Sequence, residues 1–303
     1  MLFNRFVLVR FIEAQVVIGG RQEYDGQQVN IPPTIEINCK HTRESEPNEA
    51  TIKLYNVSAE TQKRLFVEGK TVEIEAGYWP QNGARDTAVI FKGQIRKVST
   101  KIQNDVDVVS ELSFGDGDDA QARRTRGNFA RGTSHADLVR YVVDSMAGDG
   151  IVAGRIFVPS YVEPRALTVD KPAWRILEDI RHQHDLQWWI QDGVLNMTPA
   201  DTPLKRDALI LTPDSGVLGV PEFTDDGVEI KTLMLPYLRP GWTFKLQNSK
   251  VPQRATEEYC IEEIEFSGDN RGGDFGASIK AKLVVPTTGK IKRSRNRGRR
   301  RRT

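Results

Sequence analysis

The chain has 303 residues, with 43 Lys and Arg against 41 Asp and Glu, and two cysteines. That length fits about two domains and a core large enough to fold without disulfide or metal staples. Cys39 and Cys260 are too few for a disulfide framework and too far apart for a metal knuckle, so both read as free thiols in a protein made in a reducing compartment. No stretch reaches the roughly 20 apolar residues of a membrane-spanning helix. The apolar N-terminus is broken by Arg5, Arg10 and Glu13 and no small-residue cleavage site follows, so it reads as a strand and not a signal peptide. The expectation is a soluble protein of the cytoplasm in which it is made.

The near balance of charge hides an asymmetry. Lys290, Lys292, Arg293, Arg295, Arg297, Arg299, Arg300, Arg301 and Arg302 all fall in the terminal run KIKRSRNRGRRRRT, which holds no acid; the rest of the chain has 34 basic against 41 acidic residues. An acidic body is not the evenly basic face of a folded nucleic-acid-binding domain. The tail buries no apolar area, is expected to be disordered alone, and would bind polyanions with salt-sensitive affinity. Nucleic acid, an acidic partner groove and the acidic surface of its own assembly all stand open as its target.

In chain order, Ile35, Ile37 and Cys39, then Ile52, Leu54 and Val57, alternate with polar residues on either side of the polar run His41–Asn48, predicting two strands. A short helix follows over Ala59–Phe66, capped by Ser58 and closed by Gly69. Val72, Ile74 and Ala76 mark a strand over 71–79, Asn82-Gly83 a turn, and 88–100 a strand pair or bent strand with a bulge at Gly93; 105–114 alternates again. The Gly-rich, charged stretch 115–132 reads as a linker. A helix opens at the Ser134 cap and buries Leu138, Val142 and Met146; a second begins at Pro172 and buries Ala173, Ile176, Leu177 and Ile180. Residues 186–199 form a hairpin around Asp192-Gly193. Strands resume over 217–235, 241–249, 257–269 and 276–285, with a loop at Pro236–Pro240. The fold class is mainly β with an α+β insertion: two β-barrel-like domains, 1–119 and 206–288, flank a linker and α+β module over 120–205, and 289–303 is the basic tail.

Chemistry is sparse. His182 and His184 are two apart on a helix and point to different faces, which disfavours a shared zinc. Asp116, Asp118 and Asp119 lack the ligand ladder of a calcium loop. Glu263 and Glu265 share one strand face opposite Ile264 and Phe266, so together with Glu262 they read as a solvated edge or a salt-bridging interface. No nucleophile elbow, zinc helix, phosphate loop or dinucleotide fingerprint is present, and Gly272-Gly273 is a turn. Trp188 and Trp189 face opposite sides of a strand, one into core and one toward an interface, rather than forming a stacking platform for a sugar or base. No catalytic, metal or cofactor residue is assigned, and no enzyme is expected. Tyr78, Trp79 and Trp242 are the candidate interface aromatics, with a core role for Trp242 at least equal.

The stretches ATIKLYNVSAETQKRL, GKTVEIEAGYW, VIFKGQI and VVSELSFGDGDDA resemble the baseplate hub proteins of long-tailed bacteriophages, a family similar also to the N-terminal part of type VI secretion spikes. The carrying features are a strand ending in Asn56–Ser58 that enters a short helix, a strand running into Ala76–Tyr78, and the strand Ile90–Ile95. AWRILEDIRHQHDLQWWIQDGVLNMTP resembles the family's helix and Trp-containing hairpin, and LRPGWTFKLQNS with YCIEEIEFSGDN its returning barrel. The resemblance spans roughly 1–285 and implies a trimeric structural hub in the virion. Two tail-tube-like domains per copy would match a sixfold tube on one side and a threefold spike or tip on the other. The basic tail maps onto no family feature; the tube lumen, the tape-measure protein and the DNA end are its candidate contacts. A glycan- or nucleic-acid-binding module of the tail is the alternative.

Overall fold

The computed structural model describes residues 3–20, 24–25, 28–29, 33–80, 86–103, 105–247 and 257–284. The Asn82-Gly83 turn and all nine basic tail residues lie outside them. The first β-rich stretch holds β1 (Phe3–Phe11), β2 (Val16–Gly19), the short pair β3 (Tyr24–Asp25) and β4 (Gln28–Val29), β5 (Ile35–Thr42), β6 (Glu49–Tyr55), α1 (Ala59–Leu65), β7 (Thr71–Pro80), β8 (Asp86–Gln103) and β9 (Asp107–Gly115). The middle of the chain holds α2 (Asp118–Ala122), β10 (Arg124–Phe129), α3 (His135–Met146), β11 (Val152–Ile156), β12 (Leu167–Pro172), α4 (Ala173–His184), β13 (Leu186–Gln191) and β14 (Val194–Pro199). The last stretch holds β15 (Lys205–Leu211), β16 (Val217–Phe223), β17 (Gly227–Leu233), β18 (Trp242–Leu246), β19 (Glu258–Asp269) and β20 (Phe275–Leu283).

Alternation builds these strands. In β5 the residues Ile35, Ile37 and Cys39 are buried and their neighbours are not; β6 repeats the pattern with Ile52 and Leu54, and β7 with Val72 and Ile74 until Glu75, which is buried beside Ala76. One 13-stranded sheet results, with the path β16-β17-β20-β19-β5-β6-β9-β8-β7-β1-β2. Strand β19 joins its two parts. β20 runs along one edge of β19, while β18 pairs its first residues and β5 pairs Glu263–Asp269 on the other. The pairings among the described residues do not close into a barrel, and the fold is mainly β with large antiparallel sheets. One buried cluster draws on both β-rich stretches, among others Val9, Ile52 and Leu112 with Phe244, Ile261 and Ile279. The middle of the chain buries a separate cluster around Leu138, Met146, Leu177, Trp188 and Met197.

The helix caps follow the sequence. Ser58 accepts from the Thr61 N–H and Gly69 turns at φ +82°; Ser134 accepts from the Asp137 N–H at 3.1 Å. Pro172 ends β12, and α4 starts one residue later at Ala173. Two expectations need correction. The 115–132 stretch is not a linker, because it carries α2 and β10. Thr125 of β10 is buried and pairs with Lys171 of β12, a partner too far along the chain to register as local periodicity. Gly93 is not itself a bulge: the register of β8 slips at Ile90 against β7 and at Arg96 against β9.

The glycine answers a different need, since a Cβ at Gly93 would sit 2.4 Å from the Gly115 carbonyl oxygen and 2.7 Å from Phe91 Cε1. Gly93→Ala should therefore cost about 1–3 kcal/mol through overpacking. The check is the urea midpoint, which an unobstructed site would leave almost unmoved.

Candidate functional site

The hairpin β13–β14 lies between the two cores, and its two tryptophans face opposite ways. Trp188 joins the central cluster, and its Nε1–H donates to Glu178 Oε2 at 3.2 Å. Trp189 turns toward the large sheet, where the Arg43 guanidinium stacks 5.0 Å from its ring centroid. Gly241 lets the backbone close over that ring, since a Cβ there would come within 3.2 Å of Trp189 Cζ2. Both indoles are 1% exposed, so neither is available as a stacking platform.

Arg43 is itself buried. It donates to Glu262 Oε1 at 2.6 Å, to Cys260 Sγ at 3.1 Å and to the Thr202 carbonyl at 3.1 Å. Glu262 reaches it through a bulge, because the β19–β20 register slips between Ile261 and Glu263 and leaves Glu262 as the extra residue. Strict alternation would have put Glu262 on the core face with Ile264; the bulge aims it at Arg43 instead. Glu263 and Glu265 behave as the alternation predicts. Glu263 pairs with Lys40 and Lys280, and Glu265 accepts from Asn38.

A second buried polar cluster lies along the same seam. His41 continues the inward register of β5; its Nε2–H donates to the Ile90 carbonyl at 2.7 Å and its Nδ1 accepts from Gln191 at 3.0 Å. Asn48 donates to the Ile190 carbonyl, and Asp116 accepts from the Asp192 N–H at 2.8 Å. Arg239, from the loop after β17, donates to Asp192 Oδ2 at 2.9 Å and to the Pro236, Leu238 and Val89 carbonyls. Burial, with Asp192 alongside, pushes the Asp116 carboxyl up to about 7. Burial also pushes His41 down to about 4, partly offset by Asp192 and reinforced by Arg239. Asp116, read from sequence as part of a linker, is thus an anchor between β9 and the hairpin turn. The signal missed was long-range: its partners are the 48 and 192–193 backbones.

Of the helix-end histidines, His182 is exposed against Glu178, whereas His184 meets a partner that no local pattern signals. His184 Nε2 lies 2.8 Å from His135 Nδ1, and His135 Nε2 lies 2.6 Å from Glu163 Oε1. Burial and the neighbouring His135 lower the His184 pKa. Among the described residues no cluster of three or more His, Cys, Asp or Glu side chains is arranged to hold a metal, and no helix is long and apolar enough to cross a membrane. Cys39 and Cys260 are free and buried.

The candidate interface aromatics make contacts within the chain. The Tyr78 hydroxyl donates to the Phe275 carbonyl at 3.1 Å, with its ring edge-on to Phe275; Trp79 lies 5.5 Å from the Phe6 ring; Trp242 packs partly buried against the large core. Exposed aliphatic residues lie elsewhere and are scattered, among them Ile12, Val17, Ile102, Val106, Val152, Val162, Ile210 and Val220. The arrangement suits packing and surface contact: Arg43 pairs with Glu262 and Arg239 with Asp192 along the seam.

The family model for baseplate hub gp41 matches residues 15–281. The chain belongs to the baseplate hub gp41 family. It is accordingly a structural protein of the phage tail, placed in the virion at the baseplate. Its fold is similar to the 43 kDa tail protein of prophage MuSo2 from Shewanella oneidensis, with TM-score 0.60 and 11% identity over 91% of this chain and 96% of that one. A tail protein from Neisseria meningitidis MC58 is similar at TM-score 0.60 and 10% identity, covering 92% and 96%. The E. coli c3393 protein, a component of the type VI secretion system similar to the T4 tail proteins gp27 and gp5, shares the fold at TM-score 0.58 and 11% identity, covering 87% and 77%. No curated protein matches the chain.

Proposed function

We propose that this baseplate hub family member works as a trimeric hub that joins the tail tube to the central spike or tip, without catalysis of its own. The match over residues 15–281 carries the reading. Within it, the two β-rich stretches act as tail-tube-like units flanking the α+β module, so that three copies present six similar units to the tube and threefold symmetry to the spike. Heterologous, ring-closing contacts suit such a part. Tyr78, Trp79 and Trp242, the residues of each copy nominated from sequence, remain candidate contacts with neighbouring tail components.

Light scattering of the full chain should return the mass of three copies, and a stable monomer that is absent from particles would end this reading. The basic tail has its own test. Truncation after Gly289 should weaken binding to polyanions and flatten its salt dependence, with the log–log slope falling by at most about 8 for nine cationic contacts. Gel shifts across a salt series read the change; unaltered binding would remove Lys290–Arg302 from any contact with the tape-measure protein or DNA.

A further inference from the structure

Strands β17, β20 and β19 and the end of β5 border a groove in which two hollows of about 310 and 390 Å³ adjoin, with Asp226, Glu262 and Lys282 as shared walls. The carboxylates of β19 are neutralised within it: Glu262 pairs with Arg43, and Glu263 with Lys40 and Lys280. The rest of the lining is not. Glu44, Asp201, Asp225, Asp226 and Glu229 are exposed and form no ion pair among the described residues. Glu229 stands across the strands from Lys280, but the Lys280 ammonium goes to Glu263 at 2.9 Å. Against these five acids the lining holds one cation without an ion pair among the described residues, Lys282. Such an excess in a concave site draws in cations, because low-dielectric walls focus the field.

The chain itself leads out of this groove. The Leu283 N–H bonds the Asp226 carbonyl and the Val284 N–H bonds the Glu258 carbonyl, and both residues form part of the groove wall. Val285, Pro286, Thr287, Thr288 and Gly289 follow, and after them come nine cations and no acid. Pro286 has no N–H with which to prolong strand pairing, and Gly289 accepts a backbone reversal that other residues resist. At up to about 3.6 Å per residue, Lys290 can lie as much as about 20 Å from Val284, comparable with the span of two adjoining hollows of this volume.

We infer that this groove is the seat of the chain's own basic tail, with Lys290, Lys292 and Arg293 against Asp201, Asp225 and Asp226. Charge complementarity selects the occupant, and the short tether from Val284 keeps it at high effective concentration. Each contact is an exposed ion pair, weak singly and screened by salt, so the tail is held reversibly. The consequence is masking. A polyanion must compete with the groove for the tail, which holds down non-specific binding until a partner of higher negative charge density takes the tail over. The seat goes beyond the hub reading above and does not depend on the number of copies that assemble.

The test is zero-length cross-linking of the full, unsubstituted chain with a water-soluble carbodiimide at low salt, which joins a lysine amine to a carboxylate in contact with it. Peptides from the band at one chain mass on a denaturing gel should join Lys290 or Lys292 to Asp201, Asp225 or Asp226. Their yield should fall several-fold in about 0.5 M salt, where the screening length is only a few ångström. Tail links confined to acids outside the groove, or to bands of two or three chain masses, overturn the seat. Links from Lys250 in place of the tail lysines put another segment there and also overturn it. A second measurement reads the masking. The full chain with Asp201→Asn, Asp225→Asn and Asp226→Asn should bind heparin about eightfold more tightly, at a factor of about two for each of three exposed ion pairs. A chain with Glu60→Gln, Asp105→Asn and Glu111→Gln loses the same charge away from the groove, and an equal gain there overturns the masking. Light scattering separates this seat from the hub reading: a monomer with groove cross-links ends the trimer alone, and a trimer without them ends the seat alone.

Discussion

Arg43→Ala is expected to destabilise the chain by about 3–5 kcal/mol, the range for breaking a buried ion pair by removing one partner. The guanidinium fills the space between Trp189 and β19, and its loss leaves the Glu262 carboxylate without its 2.6 Å partner and the Thr202 carbonyl with only the Thr198 hydroxyl at 3.4 Å. It also opens a void against a fully buried indole, which adds a cavity cost to the lost hydrogen bonds. Arg43→Met fills the void but leaves Glu262 unpaired, and should cost less than Ala. Combining Arg43→Met with Glu262→Gln should recover part of the remainder, since no buried charge then stands alone. Chemical denaturation of the four proteins measures the series. Equal losses for Ala and Met would mean that packing against Trp189 contributes nothing, and a cost under about 1 kcal/mol for Ala would place the pair among surface salt bridges.

Asp116→Asn is the second expected large effect, and its sign depends on pH. Asp116 has a folded-state pKa of about 7 against an ordinary value of 3.8, so the folded chain holds a proton there that the unfolded chain has lost. Its contribution is fully present below about 4 and is lost as pH rises through 7, on the order of 4 kcal/mol at most. His41 has the opposite slope. Its folded-state pKa of about 4, against 6.5, gives stability that is present above 6.5 and lost as pH falls through 4. In the native chain the two slopes oppose each other between about 4 and 6.5. Asn at 116 removes the first slope while keeping an oxygen for the Asp192 N–H. The variant should be close to native in stability near pH 4 and progressively more stable than native up to pH 8. Urea unfolding at pH 4.5, 6 and 8 decides it; a pH-independent difference would show that Asp116 is ionised throughout.

Strands and caps were legible where their cause is local. Ile35, Ile37 and Cys39 alternate because one face of β5 is core, and Ser58, Ser134 and Asp192-Gly193 act on amides within a few residues of themselves. The seam was not legible, because each of its members looks ordinary alone. Arg43 sits in a polar run, Asp116 in a charged stretch, and Glu262 on a strand whose bulge no periodicity announces. His135 and His184 are separated by 49 residues and meet only because α3 packs on α4. The same holds for β10, which is a strand only because β12 returns to pair with it.

The sequence by itself determined the β-rich class, the two helices with their buried stripes, the Trp hairpin and the charge asymmetry of the tail, because propensity, alternation and composition act over short range. The tertiary structure decided what lies between: that β19 ties both β-rich stretches into one sheet and one core, that both tryptophans are buried, and that the acids at 116 and 262 are anchors. Those outcomes depend on strand register and on pairings across more than 200 residues. A one-residue bulge reverses which face a side chain takes, and no local pattern encodes it.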